Sequence, residues 1–101
     1  MDQQEVLKKV GSFAAKIRDI YQPEKVLLFG SWSRDEAHEL SDIDVAVIVS
    51  EWPGKIMNAQ SDLLRLASEV DLRMEPILLE RKRDKSGFLA KIELMGIPVS
   101  F

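Results

Sequence analysis

Hydrophobic positions along the chain fall into two patterns, one recurring every three or four residues and one running in short unbroken blocks. Val6, Val10, Phe13, Ala14, Ile17 and Tyr21 share one face of a helix, so residues 2–21 are predicted helical. Asp2, followed three residues later by Glu5, forms a capping pair in which Asp replaces the usual Ser or Thr, and Pro23 stops the segment. The block Val26-Leu27-Leu28-Phe29, closed by Gly30, reads as a buried strand. Ile43 to Val49 is rich in β-branched residues and reads as a second strand, buried on both faces over most of its length. A polar stretch from Ser31 to Ser41 separates the two.

Trp52-Pro53-Gly54 is turn chemistry. A helical pattern then runs from about Ile56 to Val70, with Leu63, Leu64, Ala67 and Val70 as its buried face. Ile77-Leu78-Leu79 marks a third strand starting near Met74. Pro76 has no N–H to donate, which places it at the start of that strand or beside a gap in the pairing. Arg81 to Lys85 is a charged connection. A short helix carrying Phe88, Leu89, Ile92 and Met95 ends at Gly96, and Ile97 to Phe101 can add a terminal strand. The order helix, strand, strand, helix, strand, helix predicts one α/β or α+β domain over residues 1–101.

Composition narrows this without redirecting it. The 101 residues are 46% hydrophobic and 31% charged, the balance of an ordinary globular domain. There is no cysteine, which removes disulfides, thiolate nucleophiles and cysteine zinc sites together. The single histidine, His38, cannot build a histidine metal site alone, and reads as a loop residue rather than a general base. Fourteen basic against seventeen acidic residues give a net charge of −3, unlike the basic footprint of a general nucleic-acid binder. The polar start MDQQEVLKK is no signal peptide, and the longest apolar run, Val45 to Val49, is far short of a membrane span. A cytoplasmic protein with no membrane partner is expected.

The chemistry concentrates in Leu28-Phe29-Gly30-Ser31-Trp32-Ser33-Arg34 and Ser41-Asp42-Ile43-Asp44-Val45. A strand ending in Gly-Ser lets backbone N–H groups and a hydroxyl approach an anion, because glycine adds no side chain. Asp42 and Asp44, one residue apart at the head of a strand, project to the same side. Taken singly, Gly-Ser is most often a turn and Asp-x-Asp a solvated strand end. Together, two acids opening an apolar strand with no adjacent cation call for compensation. Oxygen ligands of this kind suit Mg²⁺, which is commonly held by one or two carboxylates plus substrate phosphates, as one ion or a pair.

Gly30-Ser31, ten residues, then Asp42-Ile43-Asp44 resembles the signature of the DNA polymerase β-like nucleotidyltransferase superfamily. The string GSWSRDEAHELSDIDVAVIV is similar to the minimal nucleotidyltransferases, and the order of elements extends the resemblance over nearly the whole chain. It implies a small mixed sheet flanked by helices, with the active site at the ends of the first two strands. It further implies Mg²⁺-dependent transfer of a nucleoside monophosphate, with ATP the expected donor. Gly30 and Ser31 would then hold the β- and γ-phosphates. Asp42 and Asp44 would carry the metals, and Ser33 and Arg34 would stand near the triphosphate. An arginine there can neutralise charge on departing pyrophosphate, although Arg34 can equally pair with Asp35 or Glu36 on the surface.

The family usually adds a third acid on the following strand. Asp71, in Glu69-Val70-Asp71-Leu72, and Glu75, just before Pro76-Ile77-Leu78-Leu79, compete for the place. Four residues apart on an extended chain, they lie roughly 13 Å from each other and cannot share it. Glu75 is favoured because it opens the strand, so Asp42, Asp44 and Glu75 form the expected catalytic and metal-binding set. Asp35 after Arg34, the large Trp32 after Gly-Ser, and Pro76 beside the third acid depart from the family pattern without removing a ligand. Arg81-Lys82-Arg83 reads as a solvated loop, and Trp32 and Trp52 as packing residues or stacking surfaces.

Larger relatives carry a second domain for the acceptor, and too few residues follow the core strands here to supply one. The resemblance to the antitoxin type of minimal nucleotidyltransferase implies a helical HEPN-type partner protein, adenylylated on a hydroxyl. A nucleotide- or partner-binding module with little transfer activity, and a transferase acting on a small molecule, are the other two readings.

Overall fold

In the structure, a computed structural model that describes residues 2–34, 36–38 and 41–101, the first element is helix α1, Gln3–Tyr21. The Asp2 carboxylate accepts the Glu5 N–H at 2.9 Å, satisfying an amide that the first helical turn leaves without a partner. All six apolar residues of the predicted face are buried. Gln22, in the left-handed conformation, closes the helix by donating its N–H to the Arg18 carbonyl at 2.9 Å, one residue before Pro23.

Strands β1 (Lys25–Phe29) and β2 (Ile43–Val49) pair antiparallel. Helix α2 (Ile56–Ser68) carries the chain back over the sheet, so β3 (Met74–Glu80) joins β2 in parallel. A charged 3₁₀ turn, Arg81–Arg83, leads to α3 (Phe88–Met95) and to the two-residue strand β4 (Ile97–Pro98) beside β1. The sheet order is β3-β2-β1-β4, a mixed α+β arrangement as expected.

Strand alternation divides the molecule into two unequal cores. Val26, Leu28, Ile43, Val45, Val47, Met74 and Leu78 face α1 and α2. Leu27, Ala46 and Ile48 face α3, where Leu89 and Ile92 cover them. The α2 face is Ala59, Leu63 and Ala67, at strict four-residue spacing, and it leaves Leu64 half-exposed. On α3 only Leu89 and Ile92 are buried, while Phe88 and Met95 are exposed. An eight-residue helix is about 12 Å long and buries one stripe, so its other apolar residues look outward. The terminal strand is correspondingly shorter than the expected 97–101.

Pro76 lies inside β3, which the sheet tolerates because β3 is an edge. Gln60 on α2 donates its side-chain amide to the Pro76 carbonyl and accepts the Leu78 N–H at 3.0 Å. These groups therefore point away from β2, and the missing N–H of Pro76 removes no ladder bond. Gln60 acts as a one-residue neighbour for an edge that would otherwise pair with another chain. Gln60→Leu is expected to destabilise the fold by about 1–2 kcal/mol, read from the urea midpoint at unchanged m-value.

Candidate active site

The carboxylates gather at one end of the sheet, where the Gly30 turn meets α3. There β1 terminates in Phe29-Gly30, and the register places Phe29 opposite Asp44 and Asp44 opposite Glu75. Asp44 and Glu75 lie on the side of the sheet that carries α3, as strand alternation requires. Asp42 is exposed two residues upstream.

Gly30 has φ +73°, and a Cβ there would lie 3.1 Å from the Asp44 Cγ, inside contact distance of the carboxylate. Glycine is thus required twice, by backbone conformation and by the approach of the turn to Asp44. A single 3₁₀ turn follows, Ser31–Arg34. The Ser33 hydroxyl donates to the Gly30 carbonyl at 2.7 Å and its N–H to the same oxygen at 3.1 Å. Ser33 therefore locks the turn with the proton that a phosphate would otherwise receive. The Ser31 hydroxyl has no partner among the described residues. Arg34 is exposed, holds Glu36 at 3.2 Å and still acts on Asp44 through its charge.

Two carboxylates tell opposite stories. Asp71 accepts from Lys9 at 2.6 Å, from the Arg73 guanidinium at 2.9 Å and from the Arg73 N–H at 2.8 Å. The Arg73 hydrogen bond above all, and Lys9 with it, hold its carboxyl far below the usual range. It braces the α2–β3 connection against α1. Asp44 is the reverse: burial raises its pKa first, then the neighbouring charges of Glu75 and Asp42, with Arg34 opposing. Among the described residues the carboxylates of Asp42, Asp44 and Glu75 accept no hydrogen bond and form no ion pair.

Among the described residues no three acids or histidines close into a metal cage. The donor set is an open one, the pair Asp44 and Glu75 with Asp42 beside it, facing solvent. An open oxygen set lacking its own cation fits a hard ion that takes its remaining ligands from substrate and water, as Mg²⁺ does. Two cavities flank this line. One, of about 520 Å³, is bounded by Asp44, Glu75, Gln60, Ile56 and Phe29. The other, of about 290 Å³, lies between the Gly30 turn and α3.

The remaining candidates are occupied elsewhere. Trp32 is buried, with its indole N–H donating to the Ser41 carbonyl at 3.4 Å, and Trp52 stacks on Tyr21 at 4.8 Å. Arg81 bridges Glu24 and Glu93, Lys82 meets Glu51, and Arg83 meets Glu80, so the basic run is neutralised by the fold. His38 is exposed. Asp35 lies outside the described residues.

The profile of the family described as "Polymerase beta, Nucleotidyltransferase" matches residues 11–97. The chain belongs to that nucleotidyltransferase family. A Methanocaldococcus jannaschii protein named "Putative protein adenylyltransferase MJ0141" is 27% identical over 100 residues, covering 94% of this chain and 99% of its own. A crystal structure named as a "putative nucleotidyltransferase" from Sulfolobus solfataricus shares the fold. Its TM-score is 0.65 at 17% identity, over 95% of this chain and 80% of that one. A chain from a toxin–antitoxin crystal structure with AMP-PNP superposes with TM-score 0.64 at 25% identity, over 91% of this chain and 70% of its own. No helix among the described residues is long and apolar enough to cross a membrane.

Two predictions follow the two kinds of carboxylate. Because the native pKa of Asp44 is raised, the native state binds more protons than the unfolded one, and stability falls as pH rises through that range. Asp44→Asn should therefore raise the melting temperature of the metal-free protein at pH 7, the gain vanishing below about pH 4. Asp71→Asn should do the opposite. Its native pKa is depressed, so the carboxylate stabilises fully above about pH 4 and loses that effect as pH falls further. A cost of about 1–3 kcal/mol at pH 7 that shrinks in acid is expected by urea denaturation.

Proposed function

We propose that this nucleotidyltransferase transfers AMP from ATP to a hydroxyl of a partner protein. The observation that carries the reading is the convergence of Gly30, Asp44 and Glu75 from three strands on one open edge, the acids unpaired. The names of the relatives support the donor and the acceptor class: an adenylyltransferase of proteins, and a toxin–antitoxin chain crystallised with an ATP analogue. A helical HEPN-type partner, with this chain as the antitoxin, is the acceptor we favour. Ile56 borders the Asp44–Glu75 cavity, and the next residue along α2, Met57, is highly exposed; both offer such a partner apolar contact.

Asp42, Asp44 and Glu75 would hold Mg²⁺, which offsets phosphate charge and favours ionisation of the acceptor hydroxyl. The backbone N–H groups after Gly30 and the Ser31 hydroxyl receive the terminal phosphates. The acceptor oxygen forms a bond to the α-phosphorus, the bond to the bridging oxygen breaks, and pyrophosphate leaves with that oxygen. The hydroxyl proton passes to a carboxylate of the Asp44–Glu75 pair, which stands on the open edge beside the cavity. Arg34, bordering the turn, balances charge on pyrophosphate.

The test is transfer from ATP labelled at its α-phosphate, with Mg²⁺, into a lysate of the source cells. Wild type should label a protein band, and Asp44→Asn should label it at least ~100-fold less while unfolding cooperatively. Equal labelling by the variant would exclude this site.

A further inference from the structure

The cavity between the Gly30 turn and α3 contains residues that the two-part motif does not include. Its walls are Phe29, Phe88, Ile92 and Met95, and its polar positions are Ser33, Arg34 and Lys91. Lys91 has no acid to pair with along its helix: positions three and four residues away are Phe88, Gly87, Leu94 and Met95. Glu93, the one acid of α3, is already held by Lys25 at 2.6 Å and Arg81 at 2.9 Å. Among the described residues Lys91 forms no ion pair. It therefore brings uncompensated positive charge to the same cavity as Arg34 and Gly30.

The second cavity has the contrary character, with Asp44 and Glu75 in its lining and no cation. Without a cation on the acids, a polyanion is drawn to the first and repelled from the second. Phe88 is partly exposed at the first, although an eight-residue helix with two buried contacts has no packing need for it there. An aromatic face and an unpaired ammonium beside an anion-binding turn match the two halves of a nucleotide, base and phosphate chain.

We propose that the cleft between the Gly30 turn and α3 receives the donor nucleotide, with Lys91 positioning its polyphosphate and Phe88 contacting its base. The Asp44–Glu75 cavity is thereby left to the acceptor. The inference rests on the transferase reading and adds to it a binding wall from the C-terminal helix. Lys91 is a positioning residue: it fixes the phosphate chain and takes no proton.

Binding of ATP, adenosine and inorganic tripolyphosphate, each with Mg²⁺, to the full chain by calorimetry tests this. Lys91→Met should weaken ATP and tripolyphosphate by about tenfold and leave adenosine unchanged, with Lys91→Arg restoring both. Phe88→Ala should weaken ATP and adenosine and spare tripolyphosphate. Lys91→Met binding ATP and tripolyphosphate within about twofold of wild type, or losing adenosine to the same degree, would overturn the inference and leave the transferase reading standing. A folded wild-type chain binding neither ATP nor tripolyphosphate would overturn both.

Discussion

The arrangement at the open end of the sheet depends on one unfavourable interaction, the side-by-side placement of Asp44 and Glu75 on paired strands. Parallel register puts their Cα atoms opposite each other, and Asp42 adds a third like charge. Relaxing this would mean slipping β2, and β2 cannot slip. Both its edges are laddered, to β1 and to β3, and both its faces are packed, by α1 and α2 below and α3 above. A one-residue shift would turn Val45, Val47 and Val49 out of the larger core. The repulsion is imposed on the acids by apolar packing around them, and a cation bound from solution would relieve it.

Much of this was legible along the chain, for reasons that differ by element. Helix α1 declared itself because six apolar residues repeat at helical spacing and a cap stands where the repeat begins. β2 declared itself because a strand buried on both faces is a continuous β-branched block. Leu64 falls outside the core because a periodic pattern names every apolar residue near the stripe, while the width of the surface beneath decides which are covered. In the site, Gly30 and Asp44 are readable as a motif, but their contact exists only through the antiparallel ladder. The difference between Glu75 and Asp71 lies in partners far away in sequence: Lys9 takes Asp71, and no spacing rule announces that. Lys91 carried no local signal, since its significance comes from α3 folding back onto the Gly30 turn.

The two faces of the sheet have different duties. The α1–α2 side holds most of the buried apolar residues, and its polar contacts, such as Tyr21 to Asp62 at 2.7 Å and Asp71 to Lys9, are paired within the chain. The α3 side has a small core, with Glu93 paired to Lys25 and Arg81 near one end and the unpaired carboxylates of Asp44 and Glu75 at the other. The paired polar contacts and the unpaired acids thus lie on opposite sides of one layer of strands, and changes at the acids disturb few of the contacts that hold the fold.

The pairing of Phe29 with Asp44 has a consequence for how such a chain can diverge. The distance between the glycine turn and the acid is set by the hydrogen-bonded ladder of β1 and β2, which runs from Lys25 opposite Ile48 to Phe29 opposite Asp44. The segment joining the two strands is a tether between points already fixed. Lengthening such a tether costs little, growing only with the logarithm of its length. Insertions between the motif's halves are therefore compatible with an intact centre, and the connection is free to acquire recognition surfaces of its own. Deleting one residue within either strand would instead carry Gly30 or Asp44 to the wrong side of the sheet.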